Sequence, residues 1–186
     1  MRPARLAAWA LVAGLLALAL AGTPPPRERP AHPALLGPFL ELVADVQWVR
    51  FQRARLAGEP VRALGFAESA LELAPSATDG WKVLAAHLAL DLGSREREPD
   101  VEVRRSLLQA ALAVLARGVE RAADPGELEL ETGLILANKA ELDPELDPGG
   151  ARALFTGAAA AFERAARHGA DDAPALLDYA REGAER

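Results

Sequence analysis

Three histidines, two runs of alternating carboxylates and two lysines are the side chains in this 186-residue sequence whose types could support chemistry. His32, His87 and His168 stand far apart, and none has a second histidine at metal-ligand spacing. No HExxH motif occurs. His168 falls at an expected helix end, where a cation suits the negative end of the dipole. Asp143-Pro144-Glu145-Leu146-Asp147 spaces its acids like the start of a calcium loop. Pro148 stands where such a loop needs glycine, and Leu154 where it needs the closing acid, so helix capping accounts for the three acids. Glu127, Glu129 and Glu131 alternate along one helix, cannot all face one ligand, and read as solvated charge. Cysteine is absent, which excludes disulfides, thiolate metal sites and a thiol nucleophile. No glycine-rich phosphate loop and no serine elbow occurs. No catalytic residue, metal ligand or cofactor is therefore assigned, and the chain is not read as an enzyme.

The elements that position these residues are helical by composition, since alanine, leucine, glutamate and arginine dominate and aromatic residues are 5%. The formal charge is −6, and setting aside the first 22 residues with Arg2 and Arg5 makes it −8. An acidic balance disfavours nucleic acid, which requires clustered basic side chains. It also disfavours attraction to an anionic bilayer surface.

Residues 1–22 read as a signal peptide or a transmembrane anchor. Arg2 and Arg5 precede an uncharged run, Leu6–Ala21, that would make a helix about 24 Å long. That length suits either a cleaved leader or a short span, and the reading leans to the anchor. Ala19-Leu20-Ala21 has the small-x-small form of a cleavage site. In both cases the arginines stay cytoplasmic and the remainder is exported. Residues 23–38 hold six prolines and read as an extended spacer, and residues 39–186 as one helical domain.

Helical spacing and end signals divide the domain further. Leu35, Phe39, Leu42, Val46, Val49 and Leu56 form one face of a long first helix, closed by Gly58-Glu59-Pro60. Ala63, Leu64, Ala67, Ala70, Leu71 and Leu73 mark the second. Ser76–Asp79 reads as a capping box before Trp81, Leu84, Ala85, Leu88 and Leu92, with Gly93 as a left-handed cap. Asp91–Glu102 reads as an inserted loop. Asp100 caps the fourth helix, with Leu108, Ala111, Leu115, Val119 and Ala122 on its inner face. Asp124-Pro125 opens the fifth, with Leu128, Leu134, Ile135 and Leu142 inward, and Asp147-Pro148 the sixth, with Leu154, Phe155, Ala158, Phe162 and Ala165. Asp172 and Pro174 begin a last short helix. Six helices with short connections imply three antiparallel pairs plus a C-terminal helix, each pair needing a neighbour to cover its apolar face.

Trp81-x2-Leu84-Ala85-x2-Leu88 resembles the first helix of a tetratricopeptide repeat. Ala63-x3-Ala67-x2-Ala70-x4-Pro75 and Ala158-x3-Phe162-x2-Ala165-x4-Ala170 resemble the second helix of that repeat. The intervals between repeat ends are longer than the family period of about 34 residues. The resemblance implies an all-α, right-handed stack of antiparallel hairpins whose first helices line a concave groove. It places Asp79, Lys82 and Ala86 on the groove side of the third helix, and Asn138 and Lys139 on that of the fifth. Lys82 and Lys139 are the only lysines in the chain.

The expected function is an envelope-located, membrane-anchored scaffold that binds a protein or peptide partner through that groove. A self-associating structural subunit is the alternative, expected to expose an apolar patch on a terminal helix. An enzyme or small-ligand binder with an internal site stands behind both.

Overall fold

A computed structural model describes residues 37–186. Seven α-helices occur among them and no strand, so the fold class is all-α. None of these helices is long and apolar enough to cross a membrane. The expected leader or anchor at 1–22, and the spacer as far as residue 36, lie outside the described residues. The chain divides into two compact units, residues 1–74 and 75–186.

In the first unit, α1 (Gly37–Leu56) and α2 (Pro60–Leu73) form a hairpin. Gly58 takes φ 71° in the connection, a backbone region that favours glycine. Pro60 opens α2, where its missing N–H would have had no helical partner. Ala63, Ala67 and Ala70 are fully buried, and their small size lets the two helices approach closely. The inner face of α1 differs from the sequence expectation. Ala44, Phe51 and Ala54 are buried, and Trp48 meets Phe51 edge-on at 5.4 Å. The expected face of Phe39, Leu42, Val46, Val49 and Leu56 is exposed instead. This helix carries two apolar stripes, and periodicity alone cannot say which of them meets α2.

In the second unit the helices alternate in direction. They are α3 (Thr78–Ala86), α4 (Val101–Val119), α5 (Pro125–Leu142), α6 (Gly150–Arg167) and α7 (Ala173–Glu185). Consecutive helices pack side by side, and α5 also lies against α3. A π-helical turn, His87–Leu92, extends α3, so the expected inserted loop shrinks to residues 93–100. Trp81, Leu84, Ala85, Leu88 and Leu92 are all buried, as their spacing predicts. The Trp81 indole N–H donates to the Pro75 carbonyl at 2.9 Å. Gly118 of α4 admits both neighbours, because a Cβ there would sit 2.7 Å from Leu128 and 2.9 Å from Trp81. Gly133 of α5 likewise receives the ring of Phe162 from α6.

Two of the expected caps form: Asp100 accepts from the Glu102 N–H at 2.9 Å, and Asp124 from that of Glu127 at 3.1 Å. The expected capping box at Ser76–Asp79 does not form, since Ala77 holds the cap position without a side-chain bond. Gly93 has φ −87° and so is not a left-handed cap. Asp147 closes a turn onto the Gly149 N–H at 2.8 Å, and α6 starts only at Gly150. Leu134 and Leu142, expected inside, are exposed.

Candidate functional site

Helices α3 and α5 run parallel, and their polar contacts hold them in register from end to end. Near their starts, Asp124 N–H donates to Thr78 Oγ1 at 3.3 Å and Ala123 N–H to the Ser76 carbonyl at 3.0 Å. One turn on, Lys82 Nζ reaches Glu127 Oε2 and Asp79 Oδ1, both at 3.2 Å. Near their ends, Lys139 Nζ donates to the Gly93 carbonyl at 2.8 Å. Each of the side-chain contacts joins residues 45 or 46 apart, except the local Asp79–Lys82 pair.

The residues expected at a groove separate into two groups. Asp79 and Lys82 come together on the open side of α3, with Ala86 one turn further and half-buried. Glu131 of α5 follows Glu127 on the same face, and Asn138 lies two turns beyond Glu131, half-buried. Burial opposes the charge on Lys82, but Glu127 and Asp79 outweigh it and the ammonium is held more firmly than usual. Burial also pushes the Glu131 carboxyl above the ordinary range, which the Lys82 charge only partly offsets. Three carboxylates and one ammonium thus share this face, flanked by Val83 on α3 and Leu134 on α5, both partly exposed.

Lys139 belongs to the second group and offers no charge to this face. It is only 4% exposed, and its ammonium satisfies a terminal carbonyl of the turn that extends α3. Desolvation lowers its pKa, with Asp143 acting in the opposite sense. Beside it stands an ion cluster that sequence reading missed. Arg104 of α4 and Asp143, just past α5, are each buried and doubly hydrogen-bonded, at 2.7 and 3.1 Å. Arg95 Nε adds a bond to Asp143 at 2.9 Å, and Arg104 also donates to the carbonyls of Glu98 and Pro99. Burial works against the Asp143 charge, yet Arg104 and Arg95 prevail and hold the carboxyl below its usual range. The residue sits at the C-cap of α5, but its side chain is the hub of an ion network and makes no capping bond. No signal in one sequence joins Arg104 to an acid 39 residues away.

The alternating glutamates are likewise more than solvated charge. Glu129 points away from its neighbours, is nearly buried, and accepts from Arg164 Nε of α6 at 2.9 Å. His87 is buried within the π-helical turn with its Nδ1 2.8 Å from Asp91. His168 is exposed at the end of α6, and His32 lies outside the described residues. Among the described residues, no three acids or histidines are grouped to hold a metal ion.

No family model matches this sequence, and neither a curated protein nor a solved structure matches the chain.

Proposed function

We propose that this chain is a non-enzymatic interaction module that binds a segment of a protein or peptide partner across the α3–α5 face. The observation that carries this reading is the open polar face where Lys82 bridges Asp79 and Glu127 beside Glu131. Carboxylates outnumber ammonium there, and partly exposed Val83 and Leu134 supply apolar contact. A partner segment carrying arginine or lysine beside an apolar side chain fits such a face.

A tetratricopeptide-like, right-handed stack is the finer fold this reading adopts. Its support is the parallel run of α3 and α5, with α4 returning between them and Trp81, Leu84, Ala85 and Leu88 filling the space. The offset of 45 or 46 residues exceeds the family's period of about 34 and is nearer the roughly 40–47 of other helical-hairpin repeats. An exported location, with attachment through residues 1–22, is proposed from the charged and apolar pattern of that segment alone.

The test is affinity capture of the tagged full-length protein from membranes, in parallel with Glu127→Lys/Glu131→Lys and with Glu182→Lys on α7 as a control. A partner recovered by the wild type and the control, and lost from the double variant, supports the α3–α5 face. Recovery of the same proteins by all three, or of the chain alone, refutes it.

A further inference from the structure

From the exposed stripe of α1, we infer that this chain forms a parallel, in-register homodimer by pairing α1 with α1 of a second copy. The stripe runs Phe39, Leu42, Val46, Val49, Arg53 and Leu56, at alternating steps of three and four. That is the a/d seam of a coiled coil over two and a half heptads, with Phe39, Val46 and Arg53 at a and Leu42, Val49 and Leu56 at d. Its apolar members are open to solvent, from 45% for Val46 to 81% for Leu56. The opposite side, carrying Ala44, Trp48, Phe51 and Ala54, is the one turned inward.

Charge beside the seam selects the occupant and its direction. Asp45 falls at g and Arg50 at the following e, and both are exposed. In a parallel pair, g of one copy meets the next e of the other, so Asp45 faces Arg50 of the second copy twice over. An antiparallel pair would instead bring g against g and e against e, placing like charges together. Val46 at a with Leu42 and Leu56 at d suits two strands, and a single charged a position, Arg53, restricts register and oligomer size. So short a seam would be weak on a free peptide, but the α1–α2 hairpin already holds its helix formed. Parallel pairing also sends both N-terminal segments out at the same end, which one membrane could accept.

Because the chain has no cysteine, single replacements report the contact without background. Full-length Leu42→Cys in mild detergent is expected to form disulfide dimers on oxidation, whereas Glu41→Cys, off the seam, stays monomeric on gels. An antiparallel pair would set Leu42 against Arg53, so failure of Leu42→Cys to cross-link overturns the parallel arrangement. In sedimentation of the full-length protein, Asp45→Arg is expected to weaken dimerisation about tenfold, and Asp45→Arg/Arg50→Asp to restore it. A wild type that is monomeric at tens of micromolar, or a dimer indifferent to Asp45→Arg, overturns the proposal. The second outcome would assign association to another surface, the leader included.

Discussion

The Arg104 guanidinium grips Asp143 with two parallel hydrogen bonds, Nε to Oδ2 at 2.7 Å and Nη2 to Oδ1 at 3.1 Å. The pair ties the first turn of α4 to the chain just beyond α5, and both side chains are almost wholly buried. Removing Arg104 leaves the Asp143 charge to the half-exposed Arg95 alone, in a place water scarcely reaches. Arg104→Met is expected to destabilise the fold by about 3–5 kcal/mol, measured by urea unfolding. The sign of the pH dependence follows from the depressed pKa of Asp143. The folded protein stays ionised at acidities where the unfolded chain is protonated, so the pair's contribution is complete above the ordinary carboxylate range. It is lost as pH falls through the folded value. Asp143→Asn should therefore flatten the acid limb of the stability profile; an unchanged limb would contradict the assignment.

Lys139 predicts the opposite limb. Burial lowers its pKa, so the folded protein releases the proton before the unfolded chain does at about 10.5. Across that alkaline interval the unfolded state binds more protons, and Lys139's contribution to stability rises with pH. Lys139→Met should lack this rise when the two profiles are subtracted, which cancels the titrations they share. The lost bond to the Gly93 carbonyl opposes the relief of desolvation, so the net change at neutral pH should stay within about 2 kcal/mol. A difference profile that is flat through the alkaline range would refute the burial of a charged Lys139.

Gly133 and Phe162 supply a packing test. A methyl group at Gly133 would run into the Phe162 ring, so Gly133→Ala should cost about 1–3 kcal/mol despite the better helix propensity of alanine. Combining it with Phe162→Leu should cost less than the sum of the single changes, because the smaller side chain makes room. Thermal unfolding of the four proteins completes the cycle. Strict additivity would mean that the ring and the glycine are not in contact.

How much of this was legible in one dimension differs from helix to helix. For α2, α3 and α6, spacing picked out the buried residues: Ala63, Leu64 and Ala67; Trp81, Leu84 and Leu88; Leu154, Ala158 and Phe162. Each of those helices has one dominant apolar stripe, so period and burial coincide. In α1 two stripes compete, and the one with the more regular apolar spacing is the exposed one. Helix α5 is flanked by α3, α4 and α6, so its burial wraps around it and takes in Glu129 and Lys139. Asp79 and Lys82 share one side of α3 by their three-residue spacing, but Glu127 and Glu131 join them only through the register of α5.

The chain's own order of residues determined its helical class, its helix ends at Asp100 and Asp124, and most of its core, because these depend on neighbours three or four positions away. Tertiary structure alone decided which lysine meets solvent, which acid Arg104 grips and which face of α1 lies open. The first two depend on partners brought together from 39 to 46 residues apart, the third on how α1 packs against α2, and all on how much water is excluded.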